Sequence, residues 1–205
     1  MMSQELPTEK ARRLKRKFIE DTLLENAVRD ATSHFREDTR RVFKEYSTDK
    51  ERDDDKPNRD AFRAALKSEL RNLSMNYEGQ DVIEGVHIQT IRDIADRLGK
   101  KHAAVLNDKR LFFGVAAKAL NVYLKYLHCA GFDVRPPDCP FDYGIIDELD
   151  PPVGVERRWT FCDKEDDYRE WVRLANEAAK KDGFETATDW ETVTWDEQQT
   201  KKSRA

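Results

Sequence analysis

The sequence predicts an all-α protein, a helical bundle preceded by charged N-terminal helices, and three observations carry that prediction. Apolar residues recur at three- and four-residue intervals in one segment after another, which is the spacing of a helix face. Charged residues make up 38% of the chain against only 8 Gly and 7 Pro, a balance that suits charged helices better than a turn-rich β fold. No segment alternates apolar and polar residues as a half-buried strand would. At 205 residues the chain is long enough for one well-buried domain with helical extensions. The expected division is a charged helical region over 1–57 and a helical core over 58–205.

Residues 8–47 read as two charged helices. Leu14, Phe18, Leu23, Leu24, Ala27 and Val28 give the first an apolar stripe, and Phe35, Val42 and Phe43 do so for the second. Hydrophobic residues are only 38% of the chain, so this N-terminal third is expected to lie as an exposed layer, with Arg12 to Lys17 on its solvated face. Asp49 to Pro57 (DKERDDDKP) has no apolar residue and is expected to be a loop. Asn58 then caps a helix to about Asn76, with Phe62, Leu66, Leu70 and Leu73 inward. A helix over 86–98 follows from Val86, Ile91, Ile94, Ala95 and Leu98, stopped by Gly99, and a short helix is expected over 100–106.

The helix over 113–130 is the most apolar, and Gly131 closes it. Beyond the turn Arg135-Pro-Pro-Asp-Cys-Pro, a brief helix runs from Asp142 to Leu149. Asp163 is placed as the cap of a helix to Asp182 stopped by Gly183, and a last helix covers 188–198. Trp159, Trp171, Trp190 and Trp195 are expected to pin these C-terminal helices to the core, with one of them available to a pocket.

No run approaches the roughly 20 apolar residues that span a bilayer, and MMSQELPTEKARRLKRKF is not of signal-peptide type, so a cytoplasmic protein without membrane partners is expected. Cys129, Cys139 and Cys162 form no C-x-x-C pair, which argues against a disulfide framework, a thiolate metal site or an iron–sulfur cluster. His34, His87 and His102 show no metal-ligand spacing, so no metal or other cofactor is expected. Net charge is −4, but residues 100–135 hold seven bases against two acids, whereas 151–205 hold thirteen acids and ten bases. A local positive field on an acidic body suits binding a polyanion at one place.

On a wheel at about 100° per residue, the polar members of FFGVAAKALNVYLKYLHCAG, residues 112–131, gather on one side. Lys118, Asn121, Lys125 and His128 fall within about 80° of one another. Such a stripe is what any core helix shows to water, and it is also where chemistry could sit. Gly114-Val115-Ala116-Ala117-Lys118-Ala119-Leu120-Asn121-Val122 is followed, 24 residues after the lysine, by Pro140-Phe141-Asp142 at a helix start. Over roughly residues 100–150 this resembles the helix-hairpin-helix DNA glycosylase family, whose members carry G-V-G-x-K-T-A-N-V and then P-V-D-T-H. Ala116 stands where the family has a second hairpin glycine, and Phe141, Tyr143 and Gly144 depart from the second motif.

The resemblance implies a glycosylase-like helical bundle with a helix-hairpin-helix element near 100–131, acting as a monomer on double-stranded DNA. It implies excision of a damaged or modified base after base flipping, in repair or in defence against modified foreign DNA. Lys118 and Asp142 would be catalytic. A carboxylate stabilises the oxocarbenium-like sugar formed as a C–N glycosidic bond breaks, and a desolvated lysine beside a cation can be neutral enough to attack. An imine and strand cleavage would then follow, whereas a Lys118 that stays protonated would leave water to attack and only the base to be released. Asp142 is equally readable as a plain helix N-cap. Lys101, Lys109, Arg110, Gly114, Lys125 and His128 would contact DNA, with Asn121 in support. The competing expectation is a non-enzymatic helical DNA- or protein-binding module whose polar stripe is its wet side.

Overall fold

The computed structural model describes residues 7–33 and 42–204. Eight α-helices follow in chain order: α1 (Pro7–Thr32), α2 (Asp49–Asp54), α3 (Lys56–Ser74), α4 (Glu84–Lys101), α5 (Phe113–Cys129), α6 (Tyr143–Leu149), α7 (Glu165–Asp182) and α8 (Ala187–Arg204). Short 3₁₀ turns lie at Asn107–Lys109 and Trp159–Phe161. Among the described residues there is no strand, so the all-α expectation holds. No helix among the described residues is long and apolar enough to cross a membrane.

The centre of the fold is α5, of whose 17 residues twelve are buried. Around it pack α1, α3, α4 and the Trp159–Phe161 turn, while α6, α7 and α8 pack on one another. Each leucine or valine removed fully from water here contributes roughly 1.5–3 kcal/mol. One apolar core runs from Leu24 in α1 to Trp190 in α8.

The N-terminal layer is therefore only half a layer. Leu24, Ala27, Val28 and Ala31 are fully buried, whereas Leu14 and Phe18 are exposed. At helical pitch the buried four centre roughly 100° round from Leu14 and Phe18, so the expected single stripe is two separate faces. The second N-terminal helix is absent where it can be judged. Val42 to Ser47 is extended or bent, because its backbone pairs with 105–107 through Lys44 N–H to Val105 O and Asn107 N–H to Val42 O. Phe35 and His34 lie outside the described residues.

Asp49 to Asp54 is helical rather than a loop. Thr48 Oγ1 accepts from Glu51 N–H while the Glu51 carboxylate reaches back to Ser47 N–H, a local cap that needs no apolar face. Pro57 then sits in the first turn of α3, where its missing N–H leaves no bond unmade, and Asn58 bonds the Asp55 carboxylate instead of capping. Gly99 does not stop α4, which continues to Lys101; a Cβ there would lie 2.9 Å from Leu111 N, so the glycine serves close packing. The helix expected over 100–106 is replaced by turns and a bridge from Leu106 to Phe43. Gly131 and Gly183 do stand just past α5 and α7. Helix α8 runs to Arg204, beyond the expected 198.

Candidate active-site pocket

Lys118 projects from the middle of α5, and Asp142 from the N-cap of α6. Asp142 Oδ1 accepts the Ile145 N–H at 2.9 Å, which is the capping bond that starts this short helix. Its other oxygen, Oδ2, lies 3.8 Å from Lys118 Nζ. The cap and the ion pair use different oxygens, so one carboxylate performs both tasks. Lys118 Nζ also lies 5.1 Å from the centroid of the Trp159 ring. The lysine side chain is 11% exposed and the aspartate side chain 27%. Burial lowers the Lys118 pKa; Asp142, Glu191 and Asp30 pull it back up and Lys125 adds to the fall.

Both groups open onto a cavity of about 650 Å³. Val122, Tyr126, Pro140 and Trp195 supply apolar wall, and Arg29, Asp30, Lys125, Glu191 and Asp196 supply charge. Lys125 Nζ bonds Glu191 Oε2 at 2.6 Å and lies over the Trp195 ring. Glu191 is 3% exposed, and burial raises its pKa against the pull of Lys125. Tyr126 donates to Asp30 Oδ2 at 2.7 Å, which fixes the end of α1 to the wall. The volume is ample for one nucleobase with its sugar, and three cations face four carboxylates.

Asn121, placed on the polar stripe by the wheel, is instead fully buried and does not line the pocket. It joins a hydrogen-bonded series that is satisfied in one direction if His87 is neutral with its proton on Nε2. Tyr77 donates to His87 Nδ1 at 2.8 Å, His87 Nε2–H to Asn121 Oδ1 at 2.9 Å, and Asn121 Nδ2–H to Tyr168 Oη at 2.8 Å. Tyr168 in turn donates to Asp138 Oδ2 at 2.8 Å. The second Asn121 amide proton goes to Cys139 O at 3.1 Å, and that bond ties the loop leading to Asp142 onto α5. Burial pushes the Asp138 pKa up to about 7 and the His87 pKa down to about 4. The two stand 3.6 Å apart, a neutral pair rather than a salt bridge between about pH 4 and 7, and Asp138 Oδ1 is buried without a partner among the described residues.

The other sequence-selected residues lie elsewhere. Arg110 pairs with Asp163 Oδ2 at 2.8 Å and stacks on Phe112. Asp163 does not cap α7, whose N-cap position is Lys164; its Oδ1 accepts from Phe113 N–H. The Gly114 N–H is taken by Cys162 O at 2.9 Å, and a Cβ at Gly114 would lie 2.0 Å from Trp159 O. The start of α5 is thus closed by protein groups, with no open amide nest for a phosphate at Gly114. His128 Nδ1 is bonded to Val134 O, with Nε2 at 3.6 Å from Asp189. Lys101 and Lys109 are exposed, and neither they nor Arg110 line the cavity.

Sequence reasoning passed over Arg29, Asp30, Glu191 and Asp196. Glu191 with Trp195, and Thr192 with Asp196, stand four apart and share one face of α8, which is the trace the sequence holds of that wall. Trp195 is the tryptophan that reaches the pocket, while Trp159, Trp171 and Trp190 are buried. No group of three or more His, Cys, Asp or Glu among the described residues is arranged to hold a metal ion. No known protein family, curated protein or solved structure matches the chain.

Proposed function

We propose that the chain is a DNA glycosylase of the helix-hairpin-helix kind, which extrudes one damaged or modified nucleotide from duplex DNA and cleaves its glycosidic bond. The observation that carries this reading is the approach of the Lys118 amine to the Asp142 carboxylate, 3.8 Å apart on the wall of a pocket large enough for a nucleoside. The flipped base rests against the Trp195 and Tyr126 side of the cavity. Neutral Lys118 attacks C1′, forming a C–N bond as the glycosidic bond breaks and its electron pair leaves on the base. The proton shed by the amine passes to the departing base. The Asp142 carboxylate faces C1′ and stabilises the positive charge that builds on the sugar. The C1′–O4′ bond then opens as the nitrogen lone pair forms the C=N bond and the remaining amine proton passes to O4′, giving the imine from which strand cleavage proceeds.

Duplexes carrying single damaged or modified bases, incubated with the protein and borohydride, test the assignment. Release of a base with covalent trapping through Lys118 is expected, with loss of trapping in Lys118→Gln and a fall of at least about 100-fold in Asp142→Asn. Absence of abasic sites on every substrate would end the enzymatic reading. Release without trapping would transfer the attack to water and leave Asp142 its role.

A second reading, a non-catalytic helical binding module, is favoured by one observation. Both pocket lysines already have carboxylate partners, so the cavity holds no surplus positive charge to draw in a phosphate. Tight binding of duplex with no turnover on any base would support it.

A further inference from the structure

The first turns of α1 carry the densest positive charge in the molecule. Residues 9–19 hold Lys10, Arg12, Arg13, Lys15, Arg16 and Lys17 against the single acid Glu9, a net +5, which leaves −9 on the other 194 residues. Every residue from Glu9 to Phe18 is exposed. Arg16 pairs with Glu20 one turn on in the same helix, and is held to the body by Glu78 and by the Phe132 ring, over which it lies. Lys10, Arg12, Lys15 and Lys17 pair with no acid among the described residues. The same helix continues without interruption to Arg29 and Asp30 on the pocket wall. From Lys15 to Arg29 is roughly 20 Å along the axis at 1.5 Å per residue. That is about six nucleotides of one DNA strand at 3.4 Å each.

We propose that residues 10–17 form a phosphate-contacting arm, in which Lys10, Arg12, Lys15 and Lys17 hold the backbone of a duplex whose target nucleotide lies at the pocket about six nucleotides away. The placement of the target rests on the glycosylase reading; the contact of the arm with duplex phosphates does not. The pocket itself has one carboxylate more than it has cations, so the affinity for a polyanion has to come from elsewhere on the surface, and this segment has both the charge and the unengaged side chains. A bilayer surface fits it less well. Such a helix buries a broad apolar face, whereas here only Ala11, Leu14 and Phe18 share a direction and the six bases spread over roughly 220° of the remaining circumference.

Binding of an undamaged 20-base-pair duplex, followed by fluorescence anisotropy between 50 and 300 mM salt, tests the arm without any turnover. The parent is compared with the variant Lys10→Gln, Arg12→Gln, Lys15→Gln, Lys17→Gln, in which glutamine keeps the helix propensity and circular dichroism checks the fold. The expected result is a slope of log K against log salt that shrinks by about 2–4 in the variant, near 0.9 for each phosphate that is no longer neutralised. Equal slopes overturn the proposal, as does a parent that binds no duplex. Sedimentation with phosphatidylserine-containing vesicles forms the third arm: capture of the parent and not of the variant, with duplex binding unchanged, assigns the segment to a membrane surface instead. A parent that binds duplex with the expected slope but releases no base from any substrate ends the glycosylase reading and leaves the arm standing.

Discussion

Replacing Asp138 with Asn and, separately, His87 with Gln should unmask two pH dependences of opposite sign that cancel in the parent. Asp138 has a folded pKa of about 7 against an ordinary 3.8, because burial disfavours its ion. Its raised value means that its contribution to stability is fully present below pH 3.8 and is lost as pH rises through about 7. His87 has a folded pKa of about 4 against 6.5, again through burial. Its contribution is present above pH 6.5 and lost as pH falls through about 4. Between these limits the folded pair carries one proton on Asp138 and the unfolded pair carries one on the histidine, so the proton count does not change and the parent's stability is flat. At 1.36 kcal/mol per unit, the stability of Asp138→Asn relative to the parent should rise by about 4 kcal/mol from pH 3.8 to 7. That of His87→Gln should fall by about 3 kcal/mol from pH 4 to 6.5. Urea unfolding of the three proteins in half-unit steps between pH 4 and 8 measures both curves. Two curves of the same sign, or two flat ones, would refute the neutral pairing of these residues.

Three further outcomes follow from the packing. Gly114→Ala should lower stability by about 1–3 kcal/mol or more, read as a Tm several degrees lower, because its Cβ would lie 2.0 Å from the Trp159 carbonyl oxygen. Glu191→Ala should cost about 3–5 kcal/mol by leaving the Lys125 ammonium buried without its partner, while Lys125→Met with Glu191→Leu should recover most of that in the same urea titration. Asn121→Ala removes three hydrogen bonds at once and should cost about 2–4 kcal/mol; since one of them holds Cys139, three residues before Asp142, single-turnover base release should slow more than duplex binding weakens.

Helix positions were legible wherever burial alone sets them. The α5, α6 and α7 spans follow from apolar spacing and end signals, because their inner faces meet the core along their whole length. What failed was local chemistry. The helix Asp49–Asp54 rests on Thr48 and Glu51 caps in a segment with no apolar residue, so periodicity has nothing to register there. Val42 to Ser47 has the composition of a helix but spends its backbone bonds on 105–107, a pairing sixty residues away that no local pattern contains. At the site, Lys118 and Asp142 could be singled out because each sits in a motif with a definite spacing. Arg29, Asp30 and Glu191 could not, because they reach the cavity only through the packing of α1 and α8. Asn121 shows the limit of a helical wheel: angle alone does not distinguish a water-facing amide from one buried among His87, Tyr168 and Cys139.

Helix α1 has a practical consequence for anyone shortening the chain. A cut at residue 57 would strip Leu24, Ala27, Val28 and Ala31 from their seats and open the central helix to water along that side. It would also delete a wall of the cavity, so a fragment beginning at 58 should be recovered insoluble. Trimming back only as far as about residue 20 stops short of Leu24, the first core residue among those described, and that shorter form should remain folded although it loses the Arg16 contacts to Glu78 and the Phe132 ring.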